Sequence, residues 1–180
     1  DLYCKMLNEA VKKLKGEKVD NDEFETSVDL KIDGFIPPDY ITNEFQKLDV
    51  YKRIAEIENQ AEKDDMIDEL VDRFGEPPQS VCNLLDIALL KVRAHDAFIT
   101  AIAQKPNEIR ITMYQQAEVA PEKIPDLIEA FGKRLRFVPD TPPCFVYTAI
   151  EEDGLLSQLN YVVEKISEIK IPEGESRNEK

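Results

Sequence analysis

The sequence predicts an α+β fold, and three observations carry that prediction. Apolar residues recur at helical spacing through most of residues 1–97, the period shifts towards two after residue 97, and the two kinds of segment are segregated along the chain. A doubly wound parallel sheet would alternate them. The expected organisation is one α+β domain over residues 1–172, with a helical part at 1–97 that contains one strand. A mixed antiparallel-strand and helix part at 98–172 ends in a closing helix, and residues 173–180 form a polar tail. No internal repeat interrupts this pattern.

Taken in order, Leu2, Tyr3, Met6, Leu7, Ala10, Val11 and Leu14 mark a first helix that Gly16 ends. Asp20–Glu25 is an acidic connector. Val28, Leu30 and Ile32 alternate with Asp29, Lys31 and Asp33, a half-buried strand closed by Gly34. Pro37-Pro38 forbids helix and sets a turn. Asn43 is the expected N-cap of a helix with Phe45, Leu48, Tyr51 and Ile54 towards the core. Met66, Ile67, Leu70, Val71 and Phe74 line the next, which Gly75 terminates. Pro77-Pro78 opens a third, apolar nearly all round from Val81 to Val92, as a helix at the centre of a core should be.

Beyond it, Phe98–Ala103 and Ile109–Met113 read as strands joined by the Pro106-Asn107 turn. A short helix is expected from Pro121 to Phe131, with strands near Leu135–Phe137 and Phe145–Tyr147. Leu155, Leu159, Val162, Ile166 and Ile169 step by four and three along the closing helix, and Pro172 ends it.

Composition narrows the function. The chain has 180 residues, with 37 acids against 23 bases and a net charge of −14. Nucleic-acid binding begins with Lys and Arg neutralising phosphates, so direct DNA or RNA binding is not expected. No apolar run reaches the roughly 18 residues of a membrane span, and a cytoplasmic location is expected. The dispersed Cys4, Cys82 and Cys144 read as reduced thiols and not as a disulfide framework or zinc site. The start at Asp1, inside an apparent helix and without Met, reads as a piece of a longer protein.

Signals for catalysis are weak. The six glycines form no phosphate-binding loop. His95 stands alone and reads as a capping or surface residue, because a metal site needs several ligands. Cys82, thirteen residues earlier on the same expected helix, is too far along it to pair with that imidazole. No catalytic, metal or cofactor-binding residue is assigned.

The distinctive feature is electrostatic. Residues 56–76 hold nine acids and two bases, Lys63 and Arg73, a net −7 that is half the chain's total. Asp65, Asp68, Glu69 and Asp72 stand at i, i+3, i+4 and i+7, a stripe opposite the apolar face of their helix. The four like-charge neighbour pairs cost about 1–2 kcal/mol together. Asp72 also lies near the helix C-terminus, where the dipole prefers cations. Local stability therefore does not account for the stripe. It reads either as a solvated face or as a docking surface for a basic partner, Arg above all, which grips carboxylates bidentately. A Mg²⁺ or Ca²⁺ site is a third reading, disfavoured because a bare helix face lacks loop carbonyls.

Three ordered motifs carry a resemblance. Leu2-Tyr3-Cys4-Lys5-Met6-Leu7-Asn8-Glu9-Ala10-Val11 is the first. Ile36-Pro37-Pro38-Asp39-Tyr40-Ile41, continued by Leu48 and Tyr51-Lys52-Arg53-Ile54-Ala55, is the second. Glu69-Leu70-Val71-Asp72-Arg73-Phe74-Gly75, continued by Pro77-Pro78 and Val81-Cys82-Asn83-Leu84-Leu85, is the third. Over residues 1–93 the chain thereby resembles the C-terminal domain of the bacterial transcription-repair coupling factors (Mfd). It departs from them at Lys47, where Arg is more usual.

The resemblance implies a parent that is an ATP-dependent DNA translocase, which displaces stalled RNA polymerase and recruits UvrA for excision repair. It implies that this domain is a non-catalytic, autoinhibitory mask over the UvrA-binding module of the same chain, monomeric by itself. ATP and Mg²⁺ would belong to the parent's motor, with no cofactor in this domain. Carried over by motif, Glu69 and Asp72 face arginines of the masked module, with Asp65 and Asp68 beside them in the stripe. Tyr40, Tyr51, Phe74 and Leu85 read as core, Pro37, Gly75 and Pro78 as punctuation, and Arg73 as an internal partner of a carboxylate. Two alternatives stay open from the residues: a free-standing acidic adaptor, and a carboxylate-dependent hydrolase, which would need a buried acid pair in a cleft.

Overall fold

The computed structural model describes residues 24–117, 119–150 and 154–169. The expected first helix at Leu2–Leu14 and the polar tail lie outside the described residues. The fold is α+β. Five α-helices accompany a five-stranded mixed sheet among the described residues, and the chain resolves into two compact units.

The first unit spans Lys31–Val92 of the described chain. Asn43 caps α1 (Glu44–Ala55), its side chain accepting from Gln46 N. Asn59 caps α2 (Gln60–Phe74) in the same way through Glu62 N, while Glu62 returns its carboxylate to the Glu58 N–H at 2.7 Å. This exchange resembles a capping box shifted by one residue. Gly75, at φ 87° and ψ −171°, ends α2 in a region open essentially to glycine. α3 (Gln79–Asp96) then begins after Pro77-Pro78, with the Pro78 carbonyl accepting from Val81 N and Cys82 N.

The core of this unit is Ile36, Ile41, Val50, Ile54, Ile57, Met66, Leu70, Val81, Leu85 and Leu89, all nearly inaccessible to solvent. Tyr40, Tyr51, Ile67, Phe74 and Leu84 pack on it. Two phenol hydroxyls brace the motif segments. Tyr51 Oη accepts from Ile36 N at 2.9 Å, and Tyr40 Oη donates to Gly75 O at 2.8 Å. The expected core roles of Tyr40, Tyr51, Phe74 and Leu85 hold in this arrangement.

One expectation for α1 fails. Phe45 is 84% and Leu48 48% exposed, while Val50 is buried in their place. The reason is geometric: steps of three residues drift by 60° each, so Phe45 and Ile54 end on opposite sides of the helix. Val71, at 42% exposure, likewise falls outside the inward arc of α2.

The second unit takes residues 24–30 and the chain from Arg93 onwards. The last residues of α3 lead through Phe98, at φ 61°, into β2 (Ile99–Gln104). This left-handed residue follows the helix end, where the chain needs an abrupt change of direction. β2 pairs antiparallel with β3 (Ile109–Met113) through a tight turn in which Lys105 N donates to Glu108 O at 2.8 Å. After a 3-10 turn at Pro121–Lys123 come α4 (Ile124–Ala130), β4 (Leu135–Val138), β5 (Cys144–Tyr147) and α5 (Leu155–Glu168).

The strand expected over Val28–Ile32 is shorter, β1 at Ser27–Asp29, and it pairs in parallel with β2. Sheet order is β1-β2-β3-β5-β4. The strand placed by sequence in the helical half therefore completes the sheet of the second unit. Alternating polarity showed that a strand forms there but carried no information about its partner. Of the residues in the closing-helix pattern, Leu159, Val162, Ile166 and Ile169 are buried, with Val163 beside them, whereas Leu155 is half-buried and the helix itself ends at Glu168.

Truncating Leu85, fully buried among the helices, should lower unfolding free energy by about 2–5 kcal/mol. Phe45→Ala should change it by less than about 0.5 kcal/mol despite the larger side chain. Urea denaturation of the two variants checks the contrast.

Candidate functional site

The candidate surface is the outward side of α2. An ideal helix turns 100° per residue, so the direction shared by Asp65, Asp68 and Asp72 lies opposite Met66 and Leu70. All three aspartates are exposed, and among the described residues none forms an ion pair. Both bases of the 56–76 segment are committed elsewhere. Lys63 pairs with Asp86 of α3, and Arg73 reaches back one turn to Glu69, Nη1 to Oε2 at 3.1 Å. The internal pairing expected for Arg73 is thus observed. Negative charge left on the outward face is uncompensated by the helix's own cations.

Glu69 differs from its three neighbours. It lies on the flank of the stripe that faces α1 and is about one-third exposed. Arg53 grips it with both ends of the guanidinium: Nη1 donates to Oε2, and Nη2 to Oε1 at 2.8 Å. With Arg73 also on Oε2, a bridge of two arginines and one carboxylate joins α1 to α2. The hydrogen bonds from Arg53, followed by those from Arg73, hold the Glu69 carboxyl below its ordinary range and outweigh partial desolvation. The same contact raises Arg53 further. Arg73 is kept on this flank from its other side too, its guanidinium 4.9 Å from the centre of the Phe74 ring.

Between α1 and α2 lies an open depression of about 300 Å³, lined by Arg53, Glu56, Ile57, Glu62, Asp65, Met66 and Glu69. Its lining combines the apolar Ile57 and Met66 with four acids and the Arg53 guanidinium.

Catalytic alternatives gain nothing from the geometry. Thr26 is the buried polar residue among those described, so no buried acid pair is present there. A general acid needs a raised carboxyl, and Glu69 moves the other way. Burial, with the Asp86 carboxylate nearby, pushes the Cys82 thiol up and away from a reactive thiolate. His95 sits in the last turn of α3, Nδ1 3.0 Å from Thr26 Oγ1, while that hydroxyl donates to Ile99 O at 2.7 Å. The Phe24 ring packs against the imidazole, centroids 4.5 Å apart and planes tilted by 30°. This is a bracing role within the second unit. Among the described residues no three His, Cys, Asp or Glu converge to hold a metal ion, and no helix is long and apolar enough to cross a membrane.

Arg53 was not singled out by charge spacing. It stands sixteen residues before Glu69 on another helix, so no local pattern links them; their occurrence in two of the family motifs was the available signal.

Residues 30–124 match the family described as TRCF domain. The chain is 35% identical over 137 residues, 75% of its length, to the transcription-repair-coupling factor of Bacillus subtilis (strain 168), and covers 12% of that protein. It is 32% identical over 171 residues, 93% of its length, to the transcription-repair-coupling factor of Staphylococcus aureus (strain USA300), covering 15% of it. Among solved structures it is similar to a C-terminal domain of transcription-repair coupling factor, with a TM-score of 0.68 and 26% identity, over 82% of this chain and 94% of that one.

The Arg53–Glu69–Arg73 bridge is open to solvent, which limits its worth. Glu69→Gln should cost about 1 kcal/mol near neutral pH. Because the native carboxyl is lowered, its contribution is present above the usual carboxylate range and is lost as pH falls through the native value. The gap between wild-type and Glu69→Gln urea midpoints should therefore be full at neutral pH and close below about pH 4.

Proposed function

The chain belongs to the TRCF domain family, and from that premise we propose that it is a non-catalytic regulatory domain of a transcription-repair coupling factor. The parent is an ATP-dependent DNA translocase that removes stalled RNA polymerase and recruits UvrA. ATP and Mg²⁺ act in its motor, outside this chain, and the protein works in the cytoplasm. This domain masks the UvrA-binding module of the same chain by docking its acidic α2 face onto arginines of that module.

The observation that carries this reading is the uncompensated face of Asp65, Asp68 and Asp72, whose helix spends Lys63 and Arg73 on Asp86 and Glu69. A helix free to optimise its own stability would intersperse bases with those acids. Exposed Arg–carboxylate contacts give register and salt sensitivity without excessive affinity, as a mask that must open requires. Tethering within one chain supplies effective concentrations near the millimolar range, so weak contacts suffice.

Calorimetric titration of this chain with the separately expressed UvrA-binding module of its parent tests the proposal. Binding should weaken steeply with salt and vanish on Asp68→Lys with Asp72→Lys, while stability in urea does not fall, because the reversals relieve like-charge repulsion along α2. In the parent, the same pair should release UvrA binding. A parent that carries both reversals and still refuses UvrA would sink the masking role.

A further inference from the structure

Phe45 is the large apolar side chain left most open among the described residues, 84% exposed with Leu48 beside it at 48%. It precedes the buried Val50 and Ile54 by five and nine residues, rotations that set its ring on the outward side of α1. Leu48 and Asp49 are its i+3 and i+4 neighbours on the helix surface. Asp49 is exposed and forms no ion pair among the described residues. Lys52, the base of α1 that shares this direction, stands about two turns further along.

Two contacts fix how α1 runs against α2. Before α1, Tyr40 Oη donates to Gly75 O at 2.8 Å, and its ring centre is 5.9 Å from that of Phe74. Near the end of α1, Arg53 grips Glu69. The helices are therefore antiparallel. Phe45 falls between Tyr40 and Arg53 in sequence, so it lies level with the stretch from Glu69 to Gly75 that carries Asp72. Both helices turn their buried residues into one core, which leaves Phe45 and Asp72 on the outer surface of the pair.

An apolar side chain exposed singly in a polar surface is ordinary. This ring stands instead among carboxylates without bases of their own, and an aromatic face attracts a cation through its quadrupole. Arginine uses both features at once. Its planar guanidinium stacks on a ring while its N–H groups stay free to donate to a carboxylate, whereas a lysine ammonium is a compact, strongly hydrated point charge.

Resting on the docking reading above, we propose that the Phe45 ring is the seat of an arginine of the masked module, stacked on the ring face and paired with a flanking carboxylate. The ring gives the interface an aromatic anchor that the acids alone do not supply. Because it packs on nothing within this domain, it serves docking without serving the fold.

The test is titration of UvrA into the full parent chain at low salt, comparing wild type with Phe45→Leu, Phe45→Tyr and the Asp68→Lys, Asp72→Lys pair. Phe45→Leu keeps an apolar side chain but removes the ring. It should loosen the mask and tighten apparent UvrA binding roughly fourfold, the scale of a cation–π contact near the surface. Phe45→Tyr, which keeps the ring, should return the wild-type value, and urea midpoints of this domain should match wild type for both. Phe45→Leu at the wild-type affinity, while the aspartate pair releases UvrA, overturns the arginine seat and leaves the docking reading standing. A UvrA affinity that answers to neither change overturns the docking reading and the seat with it. Self-association of the wild-type chain that Phe45→Leu abolishes, seen by sedimentation, gives the ring to a second copy and overturns the seat.

Discussion

One ion-paired bridge orients the side chains on the flank between α1 and α2. Arg53 of α1 closes both guanidinium ends on Glu69 of α2, and Arg73 adds a third hydrogen bond from within α2. α1 and α2 each bury two side chains in the core of this unit, Val50 and Ile54 from one and Met66 and Leu70 from the other, so their apolar faces are narrow. Such faces tolerate rotation about the helix axes, because hydrophobic contact is non-directional. A bidentate pair, by contrast, is directional. It also disposes of the cations that would otherwise sit beside the acidic stripe.

Around that bridge, hydroxyls fix the loops. Tyr51, two residues before Arg53, takes the Ile36 N–H, and Tyr40 gives its proton to the carbonyl of Gly75 where α2 ends. Each bond satisfies a backbone group that neither helix nor sheet could serve. The segments Ile36–Ile41, Tyr51–Ala55 and Glu69–Gly75 are thus three parts of one interlocked structure. Most of their distinctive residues are engaged with one another, whereas Asp72 is exposed and forms no ion pair among the described residues. Lys63, paired with Asp86 of α3, adds a further ion pair between helices of this unit.

Periodicity made much of this fold legible. The closing helix buries Leu159, Val162 and Ile166 of its +4, +3 pattern, and Asn43 as N-cap and Gly75 at positive φ marked helix ends. It misled at Phe45 and Leu48, where a uniform step of three was read as a face although it winds half-way round the cylinder. The stripe of acids was visible from spacing, and so was the internal role of Arg73 near the edge of the apolar arc. Equivalence of Glu69 with its neighbours was not tenable once α1 was in place.

Local backbone geometry explains that division. A helical or extended repeat is a property of consecutive residues, so the sequence by itself determined which segments are helix or strand and that α2 carries acid opposite its apolar side. It could not determine which cation meets which acid across helices, since Arg53 and Glu69 are sixteen residues apart and Lys63 and Asp86 twenty-three. Nor could it place β1, whose alternation is the same whether its neighbour is parallel or antiparallel, near or distant. Those choices depend on how separate elements pack, and only tertiary structure decided that Glu69 meets arginines on the α1 flank while Asp65, Asp68 and Asp72 stay exposed without ion pairs among the described residues.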